Sequence, residues 1–173
     1  MKLRLSNTAK CLALLLIIAG CKKVVTYPDT PSISFTSVVS KDSSDVLQNP
    51  VKRVTLTFHL IDGNGDMGLS TTDTTGPFHR DSAFYYNLFI QESKRENGIF
   101  TEVPAPGGLK TYRIPNLTPT GQNKTLIADI SVTIEYPYSL ADPLPFKEFR
   151  YEYYVVDRSF NLSNRDTSSV VVW

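Results

Sequence analysis

Residues 126–136 read LIADISVTIEY, and this stretch decides the class of fold. Apolar side chains occupy every second position, and polar side chains fill most of the positions between them. A period of two is typical of a β-strand with one buried face, because successive side chains point to opposite faces of a sheet. The stretch therefore predicts a central strand that turns one face toward an apolar core.

The same alternation recurs elsewhere in the chain, most clearly in residues 54–60 and 149–155. Weaker strand candidates are residues 33–39, 84–92, 99–103, 110–114 and 168–173. Proline-rich connections that no helix could cross lie at residues 104–108, 115–123 and 141–145. Seven or eight short strands without helical periodicity predict an all-β fold, a single antiparallel sandwich.

Two segments resemble known bacterial modules. Residues 151–164, YEYYVVDRSFNLSN, resemble the penultimate strand and following turn of bacterial immunoglobulin-like domains, with Phe160 where those domains have glycine. Residues 54–69 are similar to a segment of Bacteroidetes lipoproteins of unassigned function. The resemblances imply an immunoglobulin-like β-sandwich of seven to eight strands over residues 32–173, and they imply no specific activity.

A short apolar stretch near the N-terminus has the features of a targeting segment. Basic residues precede it (Lys2, Arg4 and Lys10), and residues 11–20 are too few to span a bilayer, which takes about 20. The sequence continues as Ile18-Ala19-Gly20-Cys21, which resembles a bacterial lipobox. In that motif the cysteine is acylated and becomes the mature N-terminus. We therefore predict a lipoprotein signal peptide in residues 1–20.

The predicted lipid anchor is Cys21, which is the first residue of a tether in residues 21–31. The next residue is Lys22 and not aspartate, which by resemblance to enterobacterial sorting rules favours the outer membrane. The prediction is a palmitate-bearing lipoprotein of the cell envelope, attached to the membrane by its N-terminal lipid, on either the periplasmic or the surface face. Cys11 is the only other cysteine, so the mature domain has no disulfide and no cysteine nucleophile.

Charge and motif content restrict the classes of function. The chain has a formal charge of +1, and removal of the signal peptide leaves 15 basic and 17 acidic residues without any basic run. This balance argues against a nucleic-acid partner. With two histidines and no H-x-H, H-E-x-x-H or G-x-S-x-G motif, no zinc site or serine triad is indicated. We predict a non-catalytic binding or structural module with an envelope protein or glycan as partner.

A glycine-rich stretch, FHLIDGNGDMGL in residues 58–69, spells G-x-G-x-x-G at Gly63, Gly65 and Gly68. A dinucleotide-binding loop of this pattern needs a helix that starts at the third glycine, because the free N–H groups of that helix hold the phosphates. The residues that follow, LSTTDTTGPF, are typical of a loop. The sequence therefore excludes a phosphate cradle here.

The same loop has oxygen-bearing side chains at alternate positions, as a calcium loop does. Asp62, Asn64 and Asp66 occupy positions 1, 3 and 5 of an EF-hand-like spacing, and Asp73 falls at position 12. The EF-hand itself is excluded, because position 6 is not glycine and no helices flank the loop.

Topology adds a further ligand to this candidate site. If residues 54–61 and 149–156 are the second and sixth strands of an immunoglobulin-like sandwich, the loops after them emerge at the same pole, so Asp157 approaches the loop. Asp62, Asn64, Asp66 and Asp157 are therefore the candidate ligands of a calcium site. The alternative is a structural turn with Asx caps and an Asp–Arg pair. The sequence leaves both hypotheses open.

Exposed aromatic side chains suggest a second function. Tyr85, Tyr138 and Tyr154 are the tyrosines that alternation places on the surface, where rings can stack on sugars. The alternative function is therefore a glycan-binding accessory lipoprotein of a polysaccharide-uptake system. Separately, the tripeptide Asp81-Ser82-Ala83 resembles the O-glycosylation acceptor motif of Bacteroidetes periplasmic proteins, which marks Ser82 as a candidate glycosylation site.

Overall fold

A computed structural model describes residues 25–139 and 146–173. The predicted signal peptide and Cys21 lie outside the described residues. The described part contains nine strands: β1 (Ser32–Ser44), β2 (Pro50–Asp62), β3 (Leu88–Glu96), β4 (Ile99–Glu102), β5 (Leu109–Tyr112), β6 (Leu126–Pro137), β7 (Glu148–Val155), β8 (Asp166–Thr167) and β9 (Val171–Val172). A three-residue 3₁₀ turn, Gly76–Phe78, is the one helical element in these two ranges. None of the described helices is long and apolar enough to cross a membrane.

The strands form two antiparallel sheets. One has the order β1–β2–β6, and the other has the order β4–β3–β7–β8, with β5 also paired to β3 and β9 to β7. The fold is therefore all-β and antiparallel, as predicted. The two antiparallel sheets are consistent with a β-sandwich.

The core lies between the central strands of the two sheets. On β2 the inward row has no exposed surface: Val54, Leu56, Phe58 and Leu60. On β7 the facing row is equally buried: Phe149, Tyr151, Tyr153 and Val155. The two rows meet where the rings of Phe58 and Tyr153 lie 5.2 Å apart. Burial of each large side chain contributes about 1.5–3 kcal/mol, so these rows hold the sheets together.

Two expectations are corrected by the strand order. The stretch that decides the fold, β6, is an edge strand and not a central one, so its inward-facing Ile130 is only half-buried. The strand count is nine and not seven to eight, because residues 168–173 do not form one continuous strand. There the hydroxyl of Ser168 accepts a hydrogen bond from the Tyr151 N–H (3.0 Å), so a side chain replaces a backbone acceptor between β8 and β9.

Candidate metal centre

Asp62 is the last residue of β2 and occupies a core position. It continues the inward row two residues beyond Leu60, and its side chain has no exposed surface. Neither of its carboxylate oxygens has a hydrogen-bond partner within residues 25–139 and 146–173. Buried polar groups in folded proteins are nearly always hydrogen-bonded, and an isolated buried carboxylate is costly. The position of Asp62 therefore needs a partner that the described protein atoms do not supply.

Two further carboxylates converge on Asp62, those of Asp66 and Asp157. One oxygen from each of the three lies within 4.8 Å of the others. After β2 the chain turns at Gly65, whose φ of 63° is left-handed, and the turn brings Asp66 to the site. The Asn64 side-chain oxygen accepts a hydrogen bond from the Asp66 N–H at 3.2 Å. Asp157 arrives from the other sheet, two residues after the end of β7. We call Asp62, Asp66 and Asp157 the Asp cluster.

The hydrogen bonds of the Asp cluster leave several oxygens free. Asp66 Oδ2 accepts a hydrogen bond from the Ser159 hydroxyl at 2.6 Å, whereas the buried Oδ1 of Asp66 has no partner in the described ranges. The two oxygens of Asp157 accept the backbone N–H and the side-chain amide of Asn161, each at 2.8 Å. Among the described residues, no Lys or Arg forms an ion pair with any of the three carboxylates.

Another buried acid shows how this protein otherwise satisfies a core carboxylate. Glu92 on β3 is 2% exposed. It accepts a hydrogen bond from the Tyr136 hydroxyl, and it forms an ion pair with Lys110 at 2.9 Å. A buried charge with such partners is ordinary in proteins. Asp62 has neither a hydroxyl nor a cationic partner among the residues that the structure describes, and this difference distinguishes the Asp cluster.

The electrostatic consequence is that the carboxyl groups of Asp62 and Asp157 resist ionisation. Burial, and then the negative charges of Asp66 and Asp157, raise the pKa of Asp62 from 3.8 to about 6. Backbone N–H groups of the loop offset part of this increase, but none reaches hydrogen-bond geometry. Burial also raises the pKa of Asp157, although its hydrogen bonds to Asn161 oppose the increase.

The donor set and its spacing fit a hard divalent cation. Calcium takes six to eight oxygen ligands at about 2.3–2.6 Å, so ligands on opposite sides of the ion lie about 4.6–5.2 Å apart. Oxygens within 4.8 Å of one another can therefore contact one ion. Soft metals favour thiolate or imidazole ligands, and the Asp cluster contains neither. The residues present fit calcium, which would supply the positive charge that the cluster lacks.

Close backbone contacts explain the glycine pattern of this loop. A Cβ atom on Gly65 would lie 1.9 Å from the Lys124 carbonyl oxygen, and one on Gly68 would lie 1.9 Å from that of Pro115. Both glycines also have positive φ, at 63° and 95°. No helix begins at Gly68, so the exclusion of a phosphate cradle agrees with the fold. The glycines therefore allow the loop to pack directly against the neighbouring backbone.

The Asp–Arg pair of the alternative hypothesis also exists, but at a different aspartate. Asp73 pairs with Arg158 at 2.5 Å and accepts the Ser70 N–H at 2.7 Å. The Arg158 hydrogen bond lowers the pKa of Asp73. Sequence reasoning identified neither this specific pair nor the Ser159 hydroxyl on Asp66. Both contacts join residues more than 80 positions apart, and no local motif indicates them.

Each of the three tyrosines predicted to bind glycan contacts other side chains. Tyr138 donates a hydrogen bond to Asp42 at 3.1 Å. Tyr154 stacks on Phe89 with ring centroids 5.0 Å apart. The ring of Tyr85 contacts Tyr86 and lies beneath the guanidinium of Arg113. Within the described ranges no ring contact joins any two of the three.

The candidate glycosylation residue, Ser82, lies in the loop before β3. Its side chain is half-buried. The hydroxyl donates toward the carbonyl oxygens of Pro77 and His79, the latter at 2.6 Å. In this conformation the hydroxyl is engaged within its own loop.

Comparison with known proteins identifies no relative of this chain. No protein-family model, no curated protein sequence and no solved structure matches the chain. The function is therefore inferred from the geometry of the site itself.

Proposed function

We propose that the protein is a lipid-anchored, non-catalytic binding or structural module of the cell envelope, and that calcium bound at the Asp cluster stabilises its sandwich. The observation that carries the proposal is the carboxylate of Asp62, which is fully buried and has no hydrogen-bond partner in the part of the chain that the structure describes. Two other carboxylates face it within 4.8 Å. The lipobox at Cys21 supports the envelope location.

Calcium at this position would connect the two sheets. Asp62 ends β2 of the three-stranded sheet, and Asp157 follows β7 of the six-stranded sheet. Asp66 lies in the loop between β2 and β3, so the ion would also bind that loop. An ion held by all three would fix the loops at this pole and offset the mutual repulsion of the carboxylates. Because the unfolded chain lacks this arrangement, binding would favour the folded state.

Isothermal titration of the full-length protein with calcium tests this function directly. We expect saturable binding with a Kd on the order of 10⁻⁴ M, as in extracellular calcium modules. Asp66→Asn should weaken binding by about tenfold or more, because it removes a charged ligand. Asp81→Asn is the matched control, since the side chain of Asp81 is 88% exposed and outside the cluster. Absence of binding at millimolar calcium, or equal binding by Asp66→Asn, would contradict the proposal.

The lipid anchor has its own prediction. Cys21→Ser removes the thiol that would be acylated, so the variant should lose lipid labelling and move from the membrane to the soluble fraction. Fractionation with metabolic palmitate labelling measures both changes. Cys11→Ser is the matched control and should remain attached. A Cys21→Ser protein that stays lipid-labelled in the membrane would refute the anchor.

Glycan binding is the second candidate function. In its favour is a cleft of about 310 Å³ on the six-stranded sheet, whose lining includes Phe89, Glu152, Tyr154 and Arg165. Aromatic and charged groups together suit a sugar. However, the Tyr154 ring already stacks on Phe89, and the Arg165 guanidinium lies 4.6 Å from its centre. Side chains of the protein itself therefore occupy the ring that would stack on a sugar. We therefore favour the calcium-stabilised module.

A further inference from the structure

The β6 strand presents a long unpaired edge. It pairs with β2 along its whole length, from Leu126 opposite Asp62 to Pro137 opposite Val51, without a register shift. In the described part of the chain it pairs with no other strand, and no other segment forms a backbone hydrogen bond to residues 126–137. Alternate N–H and C=O groups on its outer side are therefore available to another strand.

The opposite edge of the same sheet is protected. On β1 the pairing register shifts between Phe35 and Ser37. The Phe35 N–H donates to Asp166 at 2.5 Å, and the Ile33 N–H donates to Asn164 at 2.9 Å. Proteins usually protect edge strands with bulges, lysines, prolines or covering side chains. The β6 edge has no lysine and no bulge, and its one proline is its last residue.

A cleft of about 290 Å³ runs along this edge. Four consecutive residues of β6, from Asp129 to Val132, line it. Because consecutive residues alternate between the two faces of a strand, the cleft follows the edge and not one face. Its other wall is mainly apolar and includes Leu88, Tyr112, Ile114 and Leu117. The one charged residue of that wall is Arg113, whose guanidinium donates to the carbonyl oxygens of Tyr85, Ser70 and Asp73. A volume near the lower end of ligand pockets suits individual apolar side chains.

The outer face of β6 has an acidic group that favours a basic neighbour. The Asp129 side chain is 65% exposed and contacts His59 at 2.7 Å. Glu135, further along the same face, pairs with Arg53. Opposite charges on directly paired strands stabilise the pairing, so a lysine or arginine beside Asp129 would be favourable.

We propose that the β6 edge binds an extended segment of a partner protein by strand addition. The segment would place apolar side chains at alternate positions in the cleft and a basic residue beside Asp129. Backbone hydrogen bonds supply affinity in this mode of recognition, and the pockets for alternate side chains supply specificity. The inference goes beyond the proposed function, because it requires no ion at the Asp cluster.

A charge-exchange experiment on the full-length protein tests the proposal. The probe is the blocked, fluorescently labelled peptide Thr-Val-Lys-Val-Thr-Val-Lys-Val-Thr, compared by anisotropy with the same peptide carrying Glu in place of Lys. We expect the natural protein to favour the lysine peptide by about two- to fivefold, and Asp129→Lys to reverse this preference. Asp81→Lys is the matched control, because Asp81 is also exposed beside a histidine and lies far from β6 in the chain. It should keep the natural preference.

Two further measurements separate strand addition from other binding. A peptide with proline in place of its central valines should bind at least about tenfold more weakly, since proline cannot donate to the ladder. Bound peptide should also slow hydrogen exchange in residues 126–137 and leave β1 unchanged.

Several outcomes would overturn the proposal. They are an absence of binding up to about 1 mM peptide, equal binding of the proline peptide, and an unchanged charge preference in Asp129→Lys. A dimer that Asp129→Lys dissociates would also overturn it, since a second copy of this chain would then occupy the edge.

Discussion

Replacing Leu56 with alanine should lower the free energy of unfolding by about 2–5 kcal/mol. Leu56 has no exposed surface and lies on β2, the central strand of the three-stranded sheet. Removing its side chain loses the transfer free energy of the buried atoms and leaves a cavity between the sheets. A loss of about 3 kcal/mol would lower the melting temperature by roughly 6–12 °C in a domain of this size.

Urea denaturation followed by tryptophan fluorescence measures this effect. Trp173 is the only tryptophan, and its ring lies 4.5 Å from that of Phe149 in the core. Leu47→Ala is the matched control, because Leu47 is 77% exposed in the turn between β1 and β2. It should change the unfolding free energy by less than about 0.5 kcal/mol. Equal losses in the two variants would contradict the position of β2 in the core.

In the absence of divalent cations, raising the pH should destabilise the protein by up to about 3 kcal/mol through Asp62. The folded pKa of Asp62 is about 6, against an unperturbed value of 3.8. The folded state therefore holds this proton more tightly than the unfolded state. Its contribution is fully present below about pH 4 and is lost as the pH rises through about 6. The raised pKa of Asp157 acts in the same direction.

Denaturation in the presence of a chelator, between about pH 5 and pH 7.5, measures the upper part of this dependence, a loss of about 1.4 kcal/mol. Asp62→Asn should flatten most of it, because asparagine does not titrate. The lowered pKa of Asp73 adds a dependence of opposite sign, but only at more acidic pH. If Asp62→Asn keeps the full pH dependence of the natural protein, Asp62 is not the buried acid that governs it.

The strands were predictable from the sequence because alternate burial leaves a period of two. Residues 54–60 and 149–155 lie in interior strands of the two sheets, and their inward rows are those that the alternation predicted. The same period does not indicate which strands pair with one another, because it identifies the buried face of a strand and not its place in a sheet. The edge position of β6 was therefore not predictable from its pattern.

The Asp cluster was partly predictable. The topology of an immunoglobulin-like sandwich was enough to predict that Asp157 approaches Asp62 and Asp66, and the three do converge. The complete burial of Asp62 also has a sequence signal, since Asp62 continues the inward row of β2 in phase with Leu60. In contrast, Arg158 pairs with Asp73 and not with the cluster, and that choice depends on loop geometry that no local pattern encodes.

Thermal melting of the full-length protein with and without calcium, near pH 7.5, shows whether calcium bound at the Asp cluster stabilises the sandwich. With a Kd on the order of 10⁻⁴ M, about 1 mM calcium should add about 1.4 kcal/mol and raise the melting temperature by roughly 3–6 °C. Magnesium should do less, because it requires a stricter octahedral site and keeps its waters. Asp66→Asn should lose most of the calcium response without losing metal-free stability, because it relieves carboxylate repulsion, and Asp81→Asn should keep the response. A flat calcium titration, together with a less stable metal-free Asp66→Asn, would contradict the account and favour a purely structural turn.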